Sequence, residues 1–198
     1  MEAFEQFVAV ALEAEGGLGS DAGLVVSSAV KFPVRRQTKK TGHQEFQEHG
    51  YEVDLVGARS DKLVLATVKS FFGSRGVVAD DVKGDMPHSG GYRLLNEEDI
   101  RLGVLDAAAK RYGYTKSQVF FRLYLGKFAT TKAANERARI EEWCREVGVV
   151  GGGIIEVFGV EDVVKTVREV AARKTYIDNP SIVSIKVLEA AHQLLPPG

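Results

Sequence analysis

The pattern of apolar positions changes from helical to β-type within the first third of the chain. Apolar residues that share one helical face begin the chain and predict a helix over residues 2–15: Phe4, Phe7, Val8, Ala11 and Leu12. Residues 24–34 are rich in β-branched side chains without a helical stripe and predict a strand. Residues 51–57 and 62–70 alternate in the same way, and the short polar link between them favours a hairpin.

The later segments alternate between helix and strand. Residues 35–50 are polar and predict a loop or hairpin tip, and the glycine-rich segment 71–92 predicts a long loop. Asn96 with the acids after it is typical of a helix start. The further predicted elements are strands over 119–128 and 154–158, and helices over 130–147, 161–173 and 181–195. The predicted order, α-β-β-β-α-β-α-β-α-α, favours an α/β fold with a mixed sheet and helices on both faces.

Composition sets limits on the kind of protein. A chain of 198 residues with 44% hydrophobic content fits one domain. Its single cysteine, Cys144, excludes an internal disulfide and a cysteine-based metal cage, as in a reducing compartment. There is no basic-then-apolar leader, and no apolar run approaches the ~18 residues of a membrane span. We therefore expect a cytoplasmic protein that does not engage a membrane.

The net charge is −1, from 26 basic and 27 acidic residues. This balance argues against a protein that coats nucleic acid by charge alone. It leaves a nuclease open, because an acidic metal site offsets basic residues elsewhere.

The hairpin from 50 to 70, GYEVDLVGARSDKLVLATVKS, carries the candidate chemistry. Alternation predicts Glu52 and Asp54 on one face of the first strand. On the second strand Thr67 and Lys69 share a face, so pairing the strands brings them beside Asp54. A carboxylate and an ammonium among apolar neighbours are costly to bury unless they are paired or used. An ordinary cross-strand ion pair is the alternative.

These residues resemble the core of the PD-(D/E)XK, or restriction-endonuclease-like, nuclease superfamily. The run Glu52-Val53-Asp54-Leu55-Val56 matches its first catalytic strand, E-[IV]-D-[LIV]-[LIV]. The run 65–69 matches the second, hydrophobic-V-E-V-K, except that Thr67 stands where the acid belongs. Glu5 fits the glutamate that the superfamily often carries on a helix before the strands. The resemblance covers an α-β-β-β-α-β core of about 1–128 and leaves a C-terminal α/β elaboration of about 129–198, within a single domain.

The resemblance implies metal-dependent hydrolysis of a phosphodiester, with Mg²⁺ or Mn²⁺ as cofactor and DNA as the first expectation for the substrate. A divalent cation held by carboxylates activates water and offsets the charge of the transition state. The resemblance places Asp54, the Val68 carbonyl and Glu5 at the metal, and Lys69 beside the reacting water. Superfamily members often act as dimers, so a homodimer is also open. Glu5 as a solvated helix residue is the alternative.

Thr67 leaves three outcomes open, because a hydroxyl is a poor ligand for Mg²⁺. A carboxylate from another position replaces the missing acid, or the site binds metal weakly and cuts slowly, or the fold has lost catalysis and kept only binding. The candidates for a replacement are acids near the predicted site: Glu5, Glu13, Glu52, Glu97 and Glu98.

Basic residues near the predicted site are candidates for contacts with phosphate. Lys31 and four further residues cluster around the exit of the first strand, and Arg75 follows Lys69 in a glycine-containing bend. The candidate nucleic-acid-binding residues are Arg35, Arg36, Lys39, Lys40 and Arg75. A solvated hairpin tip and a plain turn are the alternatives. The two functions in competition are a metal-dependent nuclease and a catalytically inactive nucleic-acid-binding or assembly module; no cofactor motif favours a small-molecule enzyme.

Overall fold

The computed structural model describes residues 2–15, 23–38, 45–87, 89–130, 135–148, 154–173 and 178–194. Residues 36–38, 45–47, 193 and 194 are described by their backbone alone. The elements in this part of the chain are α1 (Ala3–Glu13), β1 (Val25–Thr38), β2 (Glu45–Arg59), β3 (Lys62–Lys69), α2 (Ala79–Lys83), α3 (Arg93–Asn96), α4 (Glu98–Tyr112), β4 (Val119–Leu125), α5 (Glu136–Gly148), β5 (Glu156–Gly159), α6 (Val160–Ala171) and α7 (Pro180–Leu194). Short 3₁₀ turns lie at Ser89–Tyr92 and Lys116–Gln118.

The five strands form one mixed sheet in the order β1-β2-β3-β4-β5. The first three strands are antiparallel to one another, and β3, β4 and β5 run parallel. Parallel neighbours need a crossover that spans the sheet. The segment containing α2, α3 and α4 supplies it between β3 and β4, and α5 supplies it between β4 and β5. The prediction of an α/β fold with a mixed sheet is thus confirmed.

Helices cover both faces of the sheet and define two separate cores. On one face, buried side chains of α4 and α5, such as Ile100 and Ile140, pack on Leu63 and Leu65 of β3. On the other face, α1, α6 and α7 pack on the alternate residues of the same strand. The strand β3 is buried from Leu63 to Val68, because both of its faces are covered.

The structure corrects three predictions about local elements. Residues 35–38 and 45–50 belong to β1 and β2, because the two strands pair as far as Thr38 and Glu45. The segment 71–92 contains α2 and a 3₁₀ turn where a long loop was predicted. Asn96 ends α3 instead of capping a long helix, and its side-chain amide donates hydrogen bonds to the carbonyls of Val82 and Ser89.

Candidate functional site

The strands β2 and β3 separate at Asp54. Their last paired residues on this side are Leu55 and Ala66, and the same register would next pair Asp54 with Thr67. Instead, the Val68 backbone N–H donates to Asp54 Oδ2 at 2.7 Å. The carboxylate thus replaces a backbone carbonyl as acceptor, and the sheet opens at this point because β2 continues with β1 alone.

Lys69 lies at the end of β3, beside this opening. Its Nζ is 3.7 Å from Asp54 Oδ2, and about a quarter of each side chain is exposed. The predicted approach of the two side chains on neighbouring strands is confirmed. Strand β4 fixes the position of Lys69 from the other side, since the Gly126 N–H donates to the Lys69 carbonyl at 2.8 Å. Any side chain at Gly126 would collide with the backbone, because its Cβ would lie 2.1 Å from the Ser70 carbonyl oxygen.

At Asp54, the strands β1 and β2 change which of their side chains face each core. Leu24 and Leu55 belong to the core under α1, whereas Phe32 and Val53, further along the same strands, belong to the core under α4. The backbone makes this change at Ala29, whose φ of 52° lies in the left-handed region. The register pairs Ser28 with Leu55 and Val30 with Val53, so Ala29 and Asp54 occupy the facing positions between these two pairs. The predicted alternation, with Val53 and Leu55 on one face, is therefore wrong at this position.

Thr67, in place of the expected acid, is buried in the sheet. It is 5% exposed and pairs with Leu123 of β4. By alternation along β3 its side chain is on the face of Leu65, under the core that α4 covers. The Thr67 hydroxyl is therefore shielded from solvent, and it is a poor ligand for Mg²⁺.

Tyr51, Arg93 and Glu97 form a polar group beside Asp54. Burial raises the pKa of Tyr51, the negative charges of Asp54 and Glu97 add to this effect, and a hydrogen bond from the Leu94 N–H opposes it. Glu97 is bound by the Arg93 guanidinium. A cavity of about 300 Å³ lined by His49, Tyr51 and Arg93 lies on this side. The sequence did not indicate Arg93. It did not indicate Tyr51 either, because alternation assigned Tyr51 to the face away from Asp54.

Of the suggested replacements for the missing acid, Glu97 is the one that shares a neighbour with Asp54 in the described structure, namely Tyr51. Glu52 forms a half-exposed pair with Lys31, at 3.7 Å. Glu5 accepts a hydrogen bond from the Glu2 backbone N–H at 3.0 Å, which is a helix-start contact. Glu13 and Glu98 lie at the end of α1 and the start of α4.

The candidate basic residues are spread widely. Arg35 lies six positions beyond Ala29 in β1, which at about 3.3 Å per residue is roughly 20 Å along the strand from the position opposite Asp54. The side chain of Arg36 and the whole of Lys39 and Lys40 lie outside the described residues. Arg75 is exposed and lies 3.6 Å from Asp81 Oδ2. Arg75 is therefore the described basic candidate that lies in the segment directly after Lys69.

The donor set decides which kind of metal site these residues could form. Among the described residues, no group of three or more histidine, cysteine, aspartate or glutamate side chains could hold an ion. Mg²⁺, however, commonly keeps several waters and binds through one or two carboxylates together with substrate phosphates. The Val68 N–H and the Lys69 ammonium both contact Oδ2 of Asp54. The residues therefore fit a cation shared between Asp54 and a substrate phosphate, and do not fit a preformed protein-only cage.

No protein-family profile, curated protein or solved structure matches the chain. In the ranges that the structure describes, no helix combines the length and the apolar character needed to cross a membrane.

Proposed function

We propose that this chain is a metal-dependent nuclease with a restriction-endonuclease-like core, in which Asp54 and Lys69 form the active site. The observation that carries the proposal is the position of this pair. The two side chains meet where β2 and β3 separate, and the Asp54 carboxylate has replaced a backbone acceptor there. The resemblance of residues 52–56 and 65–69 to the PD-(D/E)XK motif assigns catalytic roles to the same two side chains.

The contacts give each residue a role. The Val68 N–H fixes the orientation of the Asp54 carboxylate, which leaves Oδ1 for a cation. The Lys69 ammonium, with about a quarter of its surface exposed, can reach a phosphate oxygen or the attacking water. When bound, Mg²⁺ or Mn²⁺ would supply an activated water and positive charge at the phosphate. Tyr51, a hydrogen-bond donor with a raised pKa, remains neutral beside the pair at physiological pH.

The charge of the pair favours hydrolysis over simple binding of phosphate. Without a cation, Asp54 cancels the charge of Lys69 and repels a phosphodiester. A cation on Asp54 would remove this repulsion and leave Lys69 available to the substrate. An aspartate at this position is therefore more useful to a metal-dependent enzyme than to a protein that only holds phosphate.

A catalytically inactive nucleic-acid-binding module is the second candidate, and the surroundings of Asp54 favour it. The position of the expected second acid is occupied by Thr67, which is buried, and Glu52 is paired with Lys31. On this alternative, the Asp54–Lys69 pair only fixes the end of β3.

Cleavage assays on single-stranded, supercoiled and branched DNA, and on RNA, test the proposal. We expect wild type to cut at least one substrate in Mg²⁺ or Mn²⁺, and Asp54→Asn to lose about 100-fold or more in rate. Asparagine keeps an oxygen for the Val68 N–H, so the fold should persist. Asp106→Asn removes a carboxylate from an exposed pair with Lys116 and serves as the matched control. Equal rates for Asp54→Asn and Asp106→Asn, or no cleavage of any substrate, would exclude the nuclease and leave the binding module.

A further inference from the structure

A second cavity lies between the segment after Lys69 and the 3₁₀ turn before α3. It has a volume of about 190 Å³ and is lined by Phe71, Ser74, Arg75, Val77, Asp81 and Tyr92. Pockets for drug-sized ligands start at about 300 Å³. An apolar cavity of about 150 Å³ holds one benzene molecule. The cavity therefore has room for a single aromatic ring system and little more.

Asp81, one of the residues that line this cavity, has a buried acceptor atom without a hydrogen-bond partner among the described residues. Its Oδ1 is shielded from solvent and has no hydrogen-bond partner among the residues that the structure describes. Its Oδ2 lies 3.6 Å from the Arg75 guanidinium, beyond hydrogen-bond distance. A buried acceptor without a donor destabilises the folded chain unless a ligand or water completes it. Asp81 lines the cavity, so a rotation of its carboxylate would present the unpaired oxygen to a ligand with an N–H donor.

Aromatic rings form the walls of the cavity. Tyr92 is 4% exposed, and Phe71 is 42% exposed. The backbone of Phe71 has a φ of 45°, in the left-handed region that bulky residues avoid. This conformation is fixed by the Ser74 N–H, which donates to the Phe71 carbonyl, and by Lys127, which donates to the Ser74 carbonyl at 2.8 Å. The chain thus holds a half-exposed phenyl ring at the opening in spite of local strain.

The cavity is next to the Asp54–Lys69 pair. Phe71 follows Lys69 by two residues, and Tyr92 follows Gly91, where an added Cβ would lie 3.9 Å from Lys69 Cε. A nucleotide whose phosphate is at Lys69 could therefore place a base against Phe71 without spanning a long distance.

We infer that this cavity holds one unstacked nucleobase of a single-stranded nucleic acid, with Phe71 as the stacking surface and Asp81 as the acceptor for the base. Single-stranded bases bind proteins by stacking on aromatic side chains and by hydrogen bonds at their Watson–Crick edges. The inference rests on the proposed function, since the phosphate of the same strand lies at Lys69. It adds the substrate class, namely nucleic acid with unpaired bases.

The carboxylate also predicts which bases bind. Cytosine, adenine and guanine present an exocyclic amino group that can donate to Asp81. The N–H of thymine or uracil is flanked by two carbonyl oxygens, which a carboxylate repels. Bases that carry an amino group should therefore bind more tightly than thymine or uracil.

Binding of short fluorescent phosphorothioate oligonucleotides, which resist cleavage, in the presence of Mn²⁺ tests the inference on the full chain. Wild type should prefer oligo-dC to oligo-dT and to duplex of the same length. Phe71→Ala should lower the affinity for oligo-dC about tenfold. Asp81→Asn should remove the preference for oligo-dC over oligo-dT, because an amide both donates and accepts. Phe72→Ala is the matched control, since Phe72 is also exposed but packs edge-on against Phe4 of α1.

The outcomes separate this inference from the proposed function. If Phe71→Ala and Asp81→Asn bind as the Phe72→Ala control does while Asp54-dependent cleavage is present, the base site is excluded and the nuclease stands. If the two variants lose affinity and selectivity but no metal supports cleavage, the base site stands and hydrolysis is excluded. If wild type binds no oligonucleotide, both are excluded. Thermal melting of each variant shows whether a loss of binding reflects unfolding.

Discussion

At the scale of single residues, Asp54 and Thr67 define what is unusual about the site. Asp54 replaces a backbone acceptor between two strands, and it is paired with Lys69. Thr67 occupies the position of the second acid in the motif that the hairpin resembles, and it is buried. The site therefore has one well-oriented carboxylate and a neighbouring position at which a second carboxylate could be introduced.

Thr67→Glu tests whether that position faces the candidate metal site. A buried carboxylate without a partner should lower the free energy of unfolding by about 1–3 kcal/mol. Mn²⁺ should restore the lost stability of this variant, because a ligand at 100 times its Kd stabilises the folded state by about 2.7 kcal/mol. Chemical denaturation with and without Mn²⁺ measures both effects.

The control for this variant is Thr67→Gln, because a glutamine side chain has nearly the same shape as glutamate and no charge. It should be destabilised and should not respond to Mn²⁺. If Thr67→Glu responds to Mn²⁺ no more than Thr67→Gln does, residue 67 does not face a site for a cation.

At the scale of elements, a network of charges joins α1 to the parallel part of the sheet. Arg122 of β4 is 6% exposed and binds Glu15, directly after α1, and Glu156 of β5, the latter at 2.6 Å. Lys62 of β3 also binds Glu15. Arg122 is the buried member of this network, so removing a carboxylate partner would leave its charge less compensated and destabilise the fold. Arg122 therefore holds α1 in place on the face opposite Thr67.

The network predicts a loss of stability in acid. Burial acts to raise the pKa of Glu15, but hydrogen bonds from Arg122 and Lys62 outweigh it, and the pKa lies below its ordinary value of 4.5. A carboxylate with a lowered pKa stabilises the folded state above its unfolded pKa. This contribution disappears as the pH falls through the folded pKa. We expect the unfolding free energy of wild type to fall below pH 4.5.

Glu15→Gln is the variant that tests this contribution. It should be less stable than wild type at pH 7, and the difference between the two should shrink as the pH falls below 4.5. Urea denaturation from pH 7 downwards measures it. A difference that stays constant over this range would show that Glu15 does not contribute through its charge.

The order of the strands and of the longer helices could be predicted from the sequence, and so could the Asp54–Lys69 contact. Both depend on periodicity and on a short hairpin turn, which are local properties. The change of face at Ala29 could not be predicted, because a left-handed alanine inside a strand leaves no local signal. The Glu15–Arg122 contact joins residues 107 positions apart, and Asp81 lies in a segment without periodicity.

At the scale of the whole molecule, the candidate site lies at the boundary between two kinds of sheet. The ribbon of β1 and β2 extends beyond Asp54 without β3, while β3, β4 and β5 continue as a parallel sheet. Three features lie along this boundary: Lys69, the cavity beside Phe71, and the polar group around Tyr51. Its position results from the early separation of β2 and β3, so the fold and the candidate chemistry have one structural cause.

In the proposed function, Asp54 binds a divalent cation together with a substrate phosphate. Calorimetric titration of Mn²⁺ into wild type tests it most directly, alone and with a phosphorothioate oligonucleotide that resists cleavage, after subtraction of the oligonucleotide alone. We expect no measurable binding to the protein by itself, binding in the presence of the oligonucleotide, and loss of that binding in Asp54→Asn. Equal Mn²⁺ binding by wild type and Asp54→Asn in the presence of the oligonucleotide, or none by either, would contradict the claim.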